Sequence, residues 1–343
     1  MPEIKIANSI ISHNKSQYII SEIGGMYENI DGMKELIKAS KEAGVDAVKI
    51  QTYQAEKLAL PGAIFQFEDG STMSQLDFFN HYEISQDNHK ILFDYARELE
   101  IPLFSTPSHY DDVDFLESLD VPAFKTGSDD LTNYPFLEYI AEKGKPMIVS
   151  TGMATLSEVE LAVNTILQTG NDQLILLHST ISYPPEPQFA NLNIINTLRQ
   201  AFDLPVGYSD HIFGVFSSVL AASMGACVIE KHVTLDRKLK RIDCQVSLEP
   251  HELKEMVEQI RLISVLQGSS VKKVYPPEEK WRKNARKSLV AARDMKKGEV
   301  LRSQDIVIKR PGNGIHPRHL NFLVSRSLKK DLKKNEAFSW DFL

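Results

Sequence analysis

The chain has 343 residues, 42% hydrophobic and 25% charged, which excludes a disordered or fibrous protein and leaves room for about two domains. Two cysteines, Cys227 and Cys244, exclude a disulfide framework, and neither a secretory leader nor a run of ~20 apolar residues is present, so a soluble cytoplasmic protein with no membrane contact is expected. The net charge of −7 is uneven: from Trp281 onward 16 Lys/Arg face 6 Asp/Glu, while the preceding residues hold 23 against 40.

The predicted elements run as follows. Residues 18–23 (YIISEI) form a β-rich run that stops at Gly24-Gly25, and a helical pattern covers 33–43. Residues 46–52 (DAVKIQT) form the next β-like run. Between 53 and 85 the rhythm stretches, with Pro61-Gly62, Asp69-Gly70 and many aromatics in place of a clear period; that aromatic content predicts an ordered, site-covering excursion. From 88 the alternation resumes. Helices over 88–98, 111–119, 134–143, 157–168 and 192–201 lead in turn to PLFSTP (102–107), AFKTGS (123–128), PMIVSTG (146–152), LILLHS (174–179) and LPVGYSDH (204–211). An apolar helical run over 212–226 closes at Gly225 and feeds ACVIEKHVT.

Eight βα units in about 250 residues predict a (β/α)8 barrel, closed by a helix over 251–266. A doubly wound sheet fits less well, because no glycine-rich dinucleotide fingerprint or Walker loop is present. The expected organisation is a barrel over 1–268, a connector over 269–285 with two adjacent prolines and no period, and a small β-rich domain over 286–343. That last domain is too small to build much core, so docking on a partner surface is expected. Its basic charge lacks a nucleic-acid motif or an aromatic ladder; docking on the acidic part of this chain, or of a neighbouring copy, fits better.

Barrel enzymes place their chemistry at the C-terminal strand ends, and here those ends are polar: Glu22, Gln51, Thr106, Gly127-Ser128, Ser150-Thr151, His178, His211 and His232. His211 and His232, at the ends of two successive strands, either meet on one metal ion or stand there independently. Lys49 and Lys125 lie inside strands, where an ammonium group must be paired or face a ligand. With Thr106, Ser128, Ser150 and Ser209 they would make an anion cradle; the other reading of each hydroxyl is a helix cap.

The motifs SEIG (21–24), VKIQT (48–52), FSTP (104–107), FKTGS (124–128), VSTGM (149–153), YSDH (208–211), EKH (230–232) and KRPGNG (309–314) run in order over nearly the whole length. With them the chain resembles bacterial sialic acid synthases, the nonulosonate synthases that condense phosphoenolpyruvate with a 2-acetamido sugar. The resemblance implies a (β/α)8 TIM barrel joined to a C-terminal antifreeze-like (SAF) domain, in a domain-swapped homodimer. It also implies that His211 and His232 bind a divalent metal, Mn²⁺ or Mg²⁺, and that Lys49, Thr106, Lys125, Ser128, Ser150 and Ser209 bind phosphoenolpyruvate. Glu22, Gln51, Tyr183 and Asp243 fall where the family meets the sugar or the reacting centre, and Arg310 where an arginine reaches across the dimer. Glu22 would move a proton, stabilise developing cationic charge, or pair a lysine. Glu230 fits support of the site better than a third metal ligand.

Departures fall on the sugar side: Met26-Tyr27, Ala63, Asp129-Asp130 and Ile181 replace the family's usual residues. The condensation is therefore a firmer expectation than the sugar: the resemblance implies N-acetylmannosamine or a related acetamido sugar as acceptor, with a diacetamido sugar leading to legionaminate or pseudaminate as the alternative. A metal-dependent barrel aldolase or epimerase that ignores phosphoenolpyruvate is the rival enzyme class. A non-catalytic sugar- or ice-binding protein ranks last, since the tail has no flat threonine-rich array.

Overall fold

The structure, a computed structural model, describes residues 2–24, 29–66, 70–182, 184–238 and 242–343. Eight parallel strands close into a barrel: β1 (Tyr18–Glu22), β2 (Ala47–Thr52), β3 (Leu103–Pro107), β4 (Phe124–Thr126), β5 (Met147–Ser150), β6 (Leu174–Ser179), β7 (Val206–Asp210) and β8 (Val228–His232). Each pairs with its neighbour in sequence, and β8 returns to β1 with His232 beside Glu22. Both faces of every strand are covered, so the strands read as continuous apolar runs rather than alternating ones.

The covering helices start and stop where the sequence supplies the caps. Leu156–Gln168 begins at Thr155, whose hydroxyl accepts the Glu158 N–H while the Glu158 carboxylate accepts the Thr155 N–H. Ile30–Ala43 ends on Gly44, which takes the left-handed backbone (φ +87°) that a side chain would resist. Pro250–Gln267 closes the outer ring. A two-stranded ribbon, Ile4–Ile6 with Ser9–Ile11, has strands too short to leave a periodic signal. It still buries Ile4, Ile6 and Ile11 in the barrel core. His13 beyond it meets the carbonyls of Leu204 and Gly225 at the N-terminal ends of β7 and β8, so the ribbon sits at the end opposite the polar strand tips.

One segment is ordered as expected, and two others differ from the sequence expectation. The excursion after β2 holds helices Ala55–Leu58 and Gln75–Tyr82 and a hairpin of Ile64–Gln66 with Thr72–Ser74. It is organised by edge-on and tilted rings (Tyr53, Phe65, Phe78, Phe79, Tyr82) with centroids 4.9 to 5.9 Å apart. The apolar run after β7 is helical only over Phe216–Ser223, because Asp210 caps the Ile212 N–H and Gly214 turns the chain at φ +82°. The connector contains a helix, Pro276–Ala285, with proline in its first turn and Glu278 bonded back to Tyr275. None of its residues is buried, so it left no apolar period to read.

The chain divides into two compact units, Met1–Gly268 and Ser269–Leu343. In the second, β9 (Ser288–Ala291) pairs antiparallel with β10 (Ile306–Lys309), around a core that includes Leu289, Met295, Leu301, Leu328 and Phe338.

Candidate active site

Side chains alternate along a barrel strand, so every second residue enters the lumen. On β2 these are Lys49 and Gln51; on β7 and β8 they are Ser209, Glu230 and His232, with His211 just past the end of β7. They meet Thr106, Lys125, Ser128, Ser150 and Asp243 around one cavity of about 280 Å³ at the C-terminal strand ends. Ten of the expected site residues thus line one pocket. Glu22 is not among the described lining residues; it lies behind Lys49, its Oε2 2.6 Å from the ammonium group. Arg310 is exposed on the loop after β10, in the other compact unit. Tyr183 and the Met26-Tyr27 pair lie outside the described residues.

The floor is a line of alternating charges. Lys49 Nζ is 3.4 Å from Glu230 Oε2 and Lys125 Nζ is 3.8 Å from Glu230 Oε1, all buried. Lys125 also donates to Ser150 Oγ (2.5 Å) and to the Thr126 carbonyl (2.8 Å), and Ser209 Oγ donates to Glu230 (2.8 Å). Burial pulls Lys49 down to about 8 against the attraction of Glu230, and lowers Lys125 in the same way. Burial would raise the Glu230 carboxyl, but the two lysines outweigh it and hold it below the usual carboxylate range. The buried Thr106 hydroxyl has no hydrogen-bond partner among the described residues, and it faces this cavity.

Beside the floor stand the two imidazoles, ring centroids 5.3 Å apart. His211 Nδ1 lies 3.2 Å from the Thr180 carbonyl, and His232 Nδ1 lies 3.9 Å from Asp243 Oδ2. Burial lowers His211 to about 4, and burial with the nearby His211 takes His232 well below its ordinary value. Both rings are therefore neutral near pH 7, the form that binds metal. Among the described residues no group of three or more His, Cys, Asp or Glu side chains converges on a common point.

Of the apolar part of the lining, the sequence reading singled out only Ile181 by number. Tyr53, Leu58 and Phe79 come from the excursion after β2, and Met153 and Ile181 from the loops after β5 and β6. The PG and aromatic content of 53–85 marked the first group, whereas an apolar loop residue such as Met153 carries no signal of its own. Met153 holds a left-handed backbone (φ +58°) and is 68% exposed, an arrangement that costs a non-glycine residue about 1–3 kcal/mol. Gly152 before it must be glycine: a Cβ there would stand 2.6 Å from Ile181 Cγ1 and 2.7 Å from Ser128 Oγ. The Ser128 hydroxyl accepts the Gly152 N–H at 3.0 Å, so it ties two loops together as well as lining the pocket.

These features define a (β/α)8 barrel with a charged, imidazole-bearing pocket at the C-terminal strand ends, followed by a small β-rich unit. The chain belongs to the NeuB family, whose pattern it matches over residues 36–272, with an SAF domain over 286–343. It is 38% identical to N,N'-diacetyllegionaminic acid synthase of Legionella pneumophila, an alignment spanning 95% of this chain and 94% of that one. It is 37% identical to N-acetylneuraminate-9-phosphate synthase of Mus musculus, over 85% of this chain and 82% of that one. A crystal structure of the N-acetylneuraminic acid synthetase of Leptospira borgpetersenii superposes with a TM-score of 0.74 at 30% identity, covering 82% of this chain and 95% of that one. The fold is thus the barrel-plus-SAF architecture of the nonulosonate synthases. Among the described residues no helix is long and apolar enough to cross a membrane.

Proposed function

We propose that this chain condenses phosphoenolpyruvate with the aldehyde of an acetamido sugar such as N-acetylmannosamine, releasing phosphate and a nine-carbon 2-keto acid. The observation that carries this reading is the pocket floor: two buried lysines, a threonine hydroxyl with no partner among the described residues, and the hydroxyls of Ser128, Ser150 and Ser209 around one cavity suit a small multiply charged anion. Lys49 and Lys125 would hold phosphate and carboxylate oxygens, with Thr106, Ser150 and Ser209 donating to them. Carbon C3 of the enol attacks the sugar carbonyl carbon, C2 gains cationic character, water adds there, and C–O cleavage expels phosphate. Gln51 and Asp243, which line the same cavity, would meet the sugar. Glu22 serves by holding the Lys49 ammonium in place.

A divalent cation fits the same pocket. Lys49 and Lys125 are its only ammonium groups among the described lining, against the carboxyls of Asp129, Asp130, Glu230 and Asp243, so the lysines alone leave no cationic excess for a trianion. His211 and His232 would hold the ion, and nitrogen donors favour Mn²⁺ over Mg²⁺, which prefers an all-oxygen shell. Bound there, it would polarise the sugar aldehyde as a Lewis acid. The SAF unit would bring Arg310 to the pocket of a second copy.

The apolar wall of Leu58, Phe79, Met153 and Ile181 favours a second reading of the acceptor. A sugar with a second acetamido group and few free hydroxyls would bury methyl groups against it, where each buried methyl contributes about 0.8 kcal/mol. The test is phosphate release from phosphoenolpyruvate with N-acetylmannosamine, its 6-phosphate and the 2,4-diacetamido sugars, each with Mn²⁺ and with chelator. Release with none of them would leave the rival aldolase or epimerase reading.

A further inference from the structure

β7 and β8 carry a second polar set that the pocket does not use. Ser209, Glu230 and His232 enter the lumen; Asp210 and Lys231, opposite each other in the register, point outward into the layer between sheet and helices. Both side chains are fully buried, with Lys231 Nζ 3.2 Å from Asp210 Oδ2. The same Oδ2 accepts Ser217 Oγ and Ser218 Oγ, each at 2.6 Å, from the first turn of helix Phe216–Ser223. Asp210 Oδ1 accepts the Ile212 N–H at 2.9 Å, and Lys231 donates to the Ile212 carbonyl.

Among the described residues that layer holds no other fully buried ion pair, so this one needs a reason. Desolvating two charges costs several kcal/mol per ion, and well-packed apolar side chains in place of a buried pair are often neutral or stabilising. Stability alone does not account for it. What most of its hydrogen bonds share is a target: apart from the ion pair itself and a bond between Asp210 and Tyr208 on the same strand, they end on residues 212–218, the segment that leaves His211. The peptide groups of Ile212, next to His211, are gripped from both sides, by Asp210 and by Lys231. Lys231 in turn immediately precedes His232. The pair therefore ties together the chain at both imidazoles, from the face of the sheet opposite the pocket.

We propose that Asp210 and Lys231 are positioning residues that fix the spacing and orientation of His211 and His232 for a divalent cation. This rests on the metal reading given above. The test compares two variants with wild type: Asp210→Asn/Lys231→Met, which removes both charges at once, and Ser217→Ala/Ser218→Ala, which only loosens Asp210. Metal-free protein is titrated with Mn²⁺, and the free ion is followed by electron paramagnetic resonance. The double charge variant should bind on the order of tenfold more weakly, while its melting temperature stays at or above that of wild type. The serine variant should lose about threefold, the scale of a lost hydrogen bond. It keeps the charges, so it reads the inference even where the first variant does not fold.

Unchanged Mn²⁺ affinity in the serine variant and in a folded charge variant overturns the inference, whatever happens to stability. Absence of Mn²⁺ binding in wild type overturns the metal reading and this inference with it. Wild-type binding that the variants share removes the positioning role alone.

Discussion

Lys125 shows how a single side chain can be read from both ends. In the sequence it is a lysine inside a β-like run, an anomaly that demands a partner or a ligand. In the structure it has partners, Ser150 and Glu230, and it also lines the cavity. Lys125→Met keeps the volume and removes the charge. Glu230 then retains Lys49 and Ser209, so the stability loss should stay below about 3 kcal/mol, the lower end for breaking a buried pair. The kcat/KM for phosphoenolpyruvate should fall about 100-fold or more, as for loss of a preorganised charge donor. Steady-state phosphate release and a melting curve check both; wild-type kinetics would contradict the anion floor. The residues that were legible at this scale are those whose chemistry clashes with a barrel interior: the lysines, the histidines and Glu230. Met153 was not, because an apolar side chain looks the same in a pocket wall as in a core.

At the scale of elements, the alternation of strands and helices was legible because burial on both faces forces continuous apolar strands and one-sided helices. Where tertiary contacts override local pattern, legibility failed. Residues 212–215 read as helix but are held as a loop by Asp210, and Pro276–Ala285 is a helix with no buried face. One element join carries a pH dependence. His89, near the start of helix Gln86–Glu98, donates from Nδ1 to the Ser85 carbonyl (3.0 Å), so its Nε2 accepts from Thr52 Oγ1 (2.8 Å), which also bonds Ser105 on β3 (2.6 Å). Burial holds its pKa below the ordinary value, outweighing its backbone hydrogen bonds. The unfolded chain then takes up a proton that the folded chain refuses. Stability from this group is complete above about pH 6.5 and declines as pH falls from there toward the folded pKa, by at most about 1.4 kcal/mol per pH unit. His89→Gln should flatten that decline relative to wild type, measured by urea unfolding at about pH 7.5 and about pH 5.5. An identical pH slope in the two proteins would place the proton uptake elsewhere.

The whole molecule pairs an acidic barrel with a basic C-terminal unit, 23 Lys/Arg against 40 Asp/Glu in residues 1–280 and 16 against 6 from Trp281 on. Opposite charge on two compact parts favours their association, within one chain or between two copies. The proposed cross-subunit role of Arg310 separates these cases by complementation. Lys125→Met spoils a barrel, and Arg310→Ala spoils a tail. If the tail serves the pocket of its own chain, mixing the two variants gives no active site. If it serves the partner, each mixed dimer has one intact site, built from the Arg310→Ala barrel and the Lys125→Met tail. With random exchange half the dimers are mixed, so activity should return to roughly a quarter of the wild-type value in a C₂ assembly. The variants are unfolded and refolded together to ensure exchange, with each refolded alone as the control. Activity that stays at the level of the separate controls would confine Arg310 to its own chain or remove it from the site.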